Sequence, residues 1–257
     1  MLSTVIDMLG SENQERIEEG LTTFGKASGD LYGEDLQQGV EAVVGTFYID
    51  TMDHPEFSPT LERAVDLLAG LGVKIIPILL KLLEGSDMKA DFHIASVLGK
   101  MGGVAVDQLI AAYAENPPEV ARIFILYTFG KIKSPEALKA LPTLLEATLD
   151  ESAEVRDTAT RALGKLCENI EPESFDAAAK GAIFGKLMTL TTDTFAGIRS
   201  KAFRSLGKMA RCGLIGDGQR ATLENAITGA LGEGENNNLW DNAYIVRMEA
   251  KKSRAFL

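Results

Sequence analysis

The side chains best suited to acid–base, nucleophilic or metal chemistry near neutral pH are scarce in this 257-residue sequence: two histidines, His54 and His93, and two cysteines, Cys167 and Cys212. Histidine titrates near neutral pH and binds metals through a free ring nitrogen. His54 stands before Pro55 in a loop-like segment, however, and His93 adjoins the apolar Ile94 within a helical pattern. They read as a loop residue and a helix-surface residue, so no metal and no cofactor is expected. The cysteines form no Cys-x-x-Cys pair and read as free thiols packed near helix ends, which fits a reducing compartment and makes the cytoplasm the expected location. A Gly-rich phosphate loop, a Gly-x-Ser-x-Gly elbow and a His-Glu-x-x-His helix are all missing. The chain is therefore not expected to be an enzyme.

Charge is the remaining chemistry. The formal net charge of -11 argues against general nucleic-acid binding, whose affinity comes mainly from cations neutralising phosphates. The charge is uneven: residues 1–100 hold 7 basic and 17 acidic side chains, whereas residues 201–257 hold 9 and 6. Further on, Arg161 and Arg204 each stand three residues before a glycine, and Lys131, Lys165 and Lys208 each follow one. Lys201, Arg204, Lys208 and Arg211 are spaced by 3, 4 and 3, which sets them on one helical face. This patch is expected to bind an acidic segment of another protein; the competing expectation is self-association with the acidic front of a second copy, head to tail. Trp240 is either an aromatic cap or an exposed anchor, tryptophan being over-represented among interface hot spots.

The elements that must carry these residues emerge when the chain is lined up against itself. An apolar-Gly-Lys tag recurs at Gly25, Gly99, Gly130, Gly164 and Gly207, with a weaker copy at Gly70, at intervals suited to two short helices and two turns. Counting from the later glycines, apolar residues fall at minus 9, minus 5, minus 1 and plus 2, as in Val155, Ala159, Leu163 and Leu166 or Ile198, Ala202, Leu206 and Met209. Such steps make one buried helical stripe. Pro77 and Pro142 lie 22 residues before their glycines and predict a kink inside the first helix of the repeat. Asp150 and Asp193, 14 before theirs, are placed as helix N-caps, with Asn116 and Ser11 at the same position.

The run from Asp150 through Val155-Arg156, Ala159 and Leu163-Gly164-Lys165, and its copy from Asp193 to Lys208, resembles HEAT repeats, including the short bacterial kind of phycobilin-lyase-like proteins. The resemblance implies an all-α, right-handed α-solenoid of about six to seven helix pairs. It also implies that Asp150, Asp193, Arg156 and Arg199 form a structural ladder between repeats. One domain over residues 1–257 is expected, with an inserted loop near 48–59, a Gly and Asn loop from Gly232 to Asn238, and a C-terminal capping helix over 239–252. The implied function is a protein-binding scaffold using the face of the second helices. The alternatives are a lyase-like accessory subunit holding a small cofactor and a nucleic-acid groove within residues 156–254. Deoxyhypusine hydroxylase resembles this fold too, but its repeated His-Glu metal pairs are missing here. DNA-alkylation-repeat glycosylases use a positive groove rich in aromatic residues, whereas this chain has one Trp and net negative charge. Nothing in the sequence predicts a membrane span, since the most apolar run, Val73 to Leu83, is cut by Lys74, Pro77 and Lys81.

Overall fold

A computed structural model describes residues 2–83, 85, 88–234 and 239–257, so the Asn236 to Asn238 part of the expected loop lies outside the described residues. Every element is helical, and among the described residues there is no strand. The chain divides into two compact units, residues 1–124 and 125–257. The first holds α1 (Leu2–Leu9), α2 (Gln14–Ala27), α3 (Gly33–Gly45), α4 (Ser58–Gly70), α5 (Ile76–Leu82), α6 (Met88–Met101), α7 (Val106–Ala114) and the start of α8 (Glu119–Phe129). The second holds the rest of α8, α9 (Leu141–Ala147), α10 (Ala153–Asn169), α11 (Ala177–Leu190), α12 (Ala196–Arg211), α13 (Asp217–Leu231) and α14 (Tyr244–Arg254).

The tagged glycines fall on or just after the even-numbered helices, which are therefore the second members of helix pairs. In the first unit α2 packs on α4 and α4 on α6; in the second α10 packs on α12 and α12 on α14. This is the α-solenoid plan: second helices stack on second helices, and each pair covers the apolar stripe of the one before. The predicted stripes are the core. Val155, Ala159, Leu163 and Leu166 are buried, as are Ile198, Ala202, Leu206 and Met209. Each larger apolar side chain so buried contributes about 1.5 to 3 kcal/mol, which a helix pair on its own would forgo.

Four expectations need correction. Pro77 and Pro142 do not kink a helix from within. Each occupies the first turn of its helix, behind a short 3-10 helix, Gly72–Ile75 and Pro135–Ala140 respectively. A proline costs nothing there, because first-turn N–H groups have no partner inside the helix. The predicted insertion at 48–59 is a shorter loop than expected: residues 49–54 form an irregular turn between the 3-10 turns Thr46–Tyr48 and Pro55–Phe57, and Pro59 already belongs to α4. The C-terminal helix is not a lone cap. It pairs with the 15-residue α13 as a seventh helix pair, and Trp240 precedes it in the connecting turn instead of opening it.

Asp150 and Asp193, finally, are not N-caps. Their carboxylates accept the N–H two residues ahead, from Ser152 and Phe195 (2.8 Å each), in turns that lead into the helix. Ser11 does the same for Asn13 (3.1 Å), and Asn13 is the cap of α2. Residues 88–114 have the length and mean hydropathy (1.3) of a membrane span, yet they are not one straight helix. Gly102, with φ +70°, turns the chain between α6 and α7 in a conformation that side chains with a Cβ rarely adopt.

Candidate partner-binding face

The second unit is held by two sets of charges. The inner set is the Asp and Arg ladder. Arg156 reaches the Asp193 carboxylate of the next pair (3.3 Å) and the Asp150 carbonyl of its own (2.7 Å). Arg199 repeats this with Asp241, through Nε (2.6 Å) and a second guanidinium nitrogen (2.9 Å), and with the Asp193 carbonyl (2.9 Å). Asp241 and Arg247 are the third copy, six residues apart like Asp150 and Arg156, and Arg247 reaches the Asp241 carbonyl (2.6 Å). Burial raises the Asp241 pKa, but hydrogen bonds from Arg199 and the Ala243 N–H and the charges of Arg199 and Arg247 outweigh it and leave the pKa lowered. Both partners of the Arg199–Asp241 pair are 10–15% exposed. Arg199→Ala is therefore expected to cost about 2 kcal/mol, between an exposed pair at about 0.2 to 1 and a fully buried one at about 3 to 5. A shift in the urea midpoint without a change in slope would show it; an unchanged midpoint would demote the ladder to surface decoration.

The outer set lies on the exposed side of the second helices and contains the predicted basic patch. Lys201 pairs with Asp157 across α10 and α12. Arg204 grips Glu249 of α14 with two nitrogens (2.9 and 3.0 Å). Glu168, near the end of α10, gathers Lys165 (2.9 Å), Lys208 (2.8 Å) and Arg211. Burial raises the Glu168 pKa, yet hydrogen bonds from Lys208 and Lys165 and their charges pull it down to about 2. Lys208 shifts the other way from a simple ion pair: burial lowers its pKa, with crowding from Lys165 and Arg204, against the pull of Glu168. These side chains thus clamp α10, α12 and α14 to one another, a role that the spacing of the cations alone did not reveal.

Lys131 and Arg161 are placed differently. Both lie over the ring of Tyr127, at 5.0 and 5.6 Å from its centre, and neither has a carboxylate within ion-pair distance among the described residues. Trp240 is half exposed, lies under the Arg247 guanidinium (4.4 Å) and also packs against Gly232, where an added Cβ would stand 2.7 Å from its Cδ1. Capping and exposure are thus both true of it. Sequence reasoning missed Asp157, Glu168, Glu249 and Tyr127, none of which repeats in register. It also missed Asp241 and Arg247, whose spacing was a usable signal.

Of the groups able to do other chemistry, His54 is exposed near Glu56 (3.5 Å), and His93 stacks on Phe47 (4.8 Å between ring centres). Cys167 is buried, and that burial chiefly pushes its thiol up to about 12; Cys212 is also a free thiol. Among the described residues no group of three or more His, Cys, Asp or Glu side chains could hold a metal ion. An open concavity of about 390 Å³ in the first unit is lined by Gln37, Glu41, Tyr48, Pro77, Ile78 and Lys81 among others, with no serine, cysteine or histidine among its lining residues.

Residues 106–182 match the family model for HEAT repeats. No curated protein matches the chain. Among solved structures, the complex of CpcE and CpcF of phycocyanin lyase from Nostoc sp. PCC7120 is similar at 20% identity and a TM-score of 0.55, over 70% of this chain and 98% of that one. An archaeal HEAT-like repeats protein from Thermococcus onnurineus NA1 is similar at 15% identity and a TM-score of 0.54, over 100% of this chain and 96% of that one. The matched segment, the fold of these neighbours and the register of Asp, Arg and Gly from pair to pair agree: residues 106–182 carry HEAT repeats, and the chain has an α-solenoid fold similar to that of HEAT-like repeat proteins.

Proposed function

We propose that the chain is a non-catalytic scaffold or adaptor, working in the cytoplasm, that binds an acidic segment of another protein on the exposed face of its second helices in residues 125–257. One observation carries this. Among the described residues, the seven cations Lys131, Arg161, Lys165, Lys201, Arg204, Lys208 and Arg211 have between them three carboxylate partners, Asp157, Glu168 and Glu249, the last of which also pairs with Lys252, so these cations outnumber their carboxylates by four. A protein partner is also in keeping with the phycocyanin-lyase neighbour, whose structure is that of a complex of two proteins.

Charge alone falls short. Four exposed pairs at about 0.2 to 1 kcal/mol each give at most about 4 kcal/mol, against about 8 kcal/mol for micromolar affinity. An apolar anchor must add to them. Trp240, Tyr244 and Phe256, respectively 51, 71 and 40% exposed, are the candidates. A Glu-rich peptide carrying one leucine is expected to bind in calorimetry and to weaken at least about tenfold between about 0.05 and 0.5 M salt, as screening shortens the reach of each charge. Trp240→Ala should weaken it further. Equal binding of a Lys-rich version would overturn the proposal. Self-association seen by light scattering at low salt, without peptide binding, would assign the face to a second copy instead.

A further inference from the structure

The seven cations of this face are not equivalent, and the difference is visible in what each already touches. Lys165, Lys208 and Arg211 meet at Glu168, Lys201 meets Asp157, and Arg204 meets Glu249. An incoming carboxylate would have to share or displace one of these. Among the described residues Lys131 and Arg161 have no carboxylate to displace, and their charges rest over the Tyr127 ring.

We propose that Lys131 and Arg161, seated on Tyr127, form the subsite that takes a carboxylate of the acidic partner segment, while Lys201, Arg204, Lys208 and Arg211 tie neighbouring helices together and Lys165 pairs within α10. The inference rests on reading the face as acid-binding, and it names which residues do the reading. A ring under a cation attracts it without neutralising it, so both charges stay available while both long side chains are already partly ordered. Ordering a flexible side chain on binding costs about 0.5 to 1.5 kcal/mol, and the ring removes part of that cost in advance. The two donors are also complementary: the guanidinium offers a planar pair of N–H groups matched to the two oxygens of a carboxylate, and the ammonium adds a point charge.

The backbone explains why they meet. Lys131 follows α8 and Arg161 sits on α10, in neighbouring pairs. At Gly130 an added Cβ would lie 3.3 Å from the Lys165 Cβ and 3.4 Å from the Ala162 Cα, so the glycine lets α8 and α10 come close. The subsite therefore spans two second helices, as a segment crossing the stack would require.

The test uses the intact chain and the same Glu-rich peptide carrying one leucine at low salt, followed by calorimetry. Lys131→Ala with Arg161→Ala is compared with a charge-matched control, Lys186→Ala with Lys251→Ala. The expected result is at least a tenfold loss of affinity in the first pair, less than twofold in the control, and unchanged thermal midpoints in both. Tyr127→Phe, which keeps the ring, should bind as wild type. If wild type binds and the Lys131 and Arg161 double variant binds equally well, the subsite is wrong while the acidic-partner reading stands. If wild type does not bind the peptide, both fall.

Discussion

Replacing Glu168 with glutamine is expected to remove up to about 3 kcal/mol of stability at neutral pH and to flatten the acid-unfolding profile between about pH 4.5 and pH 2. The carboxylate sits among Lys165, Lys208 and Arg211, and its pKa falls from an ordinary 4.5 to about 2 although burial acts to raise it. One pKa unit corresponds to about 1.4 kcal/mol of preference for the charged form. Because the folded pKa lies below the unfolded one, the unfolded chain binds the proton first. The stabilisation is thus complete above about pH 4.5 and lost progressively as pH falls to about 2. In Glu168→Gln three cations face one another with no counter-charge, and the variant should lose stability at pH 7 while gaining insensitivity to acid. Urea unfolding at stepped pH reads both. A variant that keeps the wild-type slope below pH 4.5 would show that other carboxylates carry the acid sensitivity.

Gly164→Val is expected to cost about 3 kcal/mol or more, with Gly185→Ala stabilising by about 0.5 to 1 kcal/mol as its counterpart. The two glycines look alike in the sequence, both inside helices, and differ only in what lies opposite. A Cβ at Gly164 would stand 2.3 Å from the Ser205 Oγ, 2.7 Å from its Cβ and 3.0 Å from its Cα, so α10 and α12 would have to move apart. Gly207 meets Ser253 of α14 in the same way, with 2.6 Å to Oγ and 3.1 Å to Cα. These serines bond across the crossing, Ser205 donating to the Thr160 carbonyl (3.1 Å) and Ser253 to that of Phe203 (2.7 Å). At Gly185 nothing lies within 4 Å, and alanine only reduces the freedom of the unfolded chain. Ser205→Gly should partly rescue a Gly164→Ala background, because two of the three close atoms disappear. Thermal unfolding of the four variants suffices; a tolerated valine at 164 would mean that the stack opens at little cost.

The sequence by itself determined the helix pairs, their register and the buried stripe, because a repeat that must cover its neighbour imprints the same apolar spacing on every copy. Val155, Ala159, Leu163 and Leu166 are core for that reason. It also determined that Asp150, Arg156, Asp193 and Arg199 stand in register, although a position 14 before glycine could not tell a cap from a turn that also binds the preceding repeat. Only the tertiary structure decided which cations remain available. Asp157, Glu168 and Glu249 sit at three different repeat positions, so no periodicity announces them, and distances across 40 to 45 residues of chain are set by helix packing. The same packing explains the tag at two of its copies: the glycine reads as a turn or a marker in one dimension, and at Gly164 and Gly207 it is the place where two helices touch with no room for a side chain.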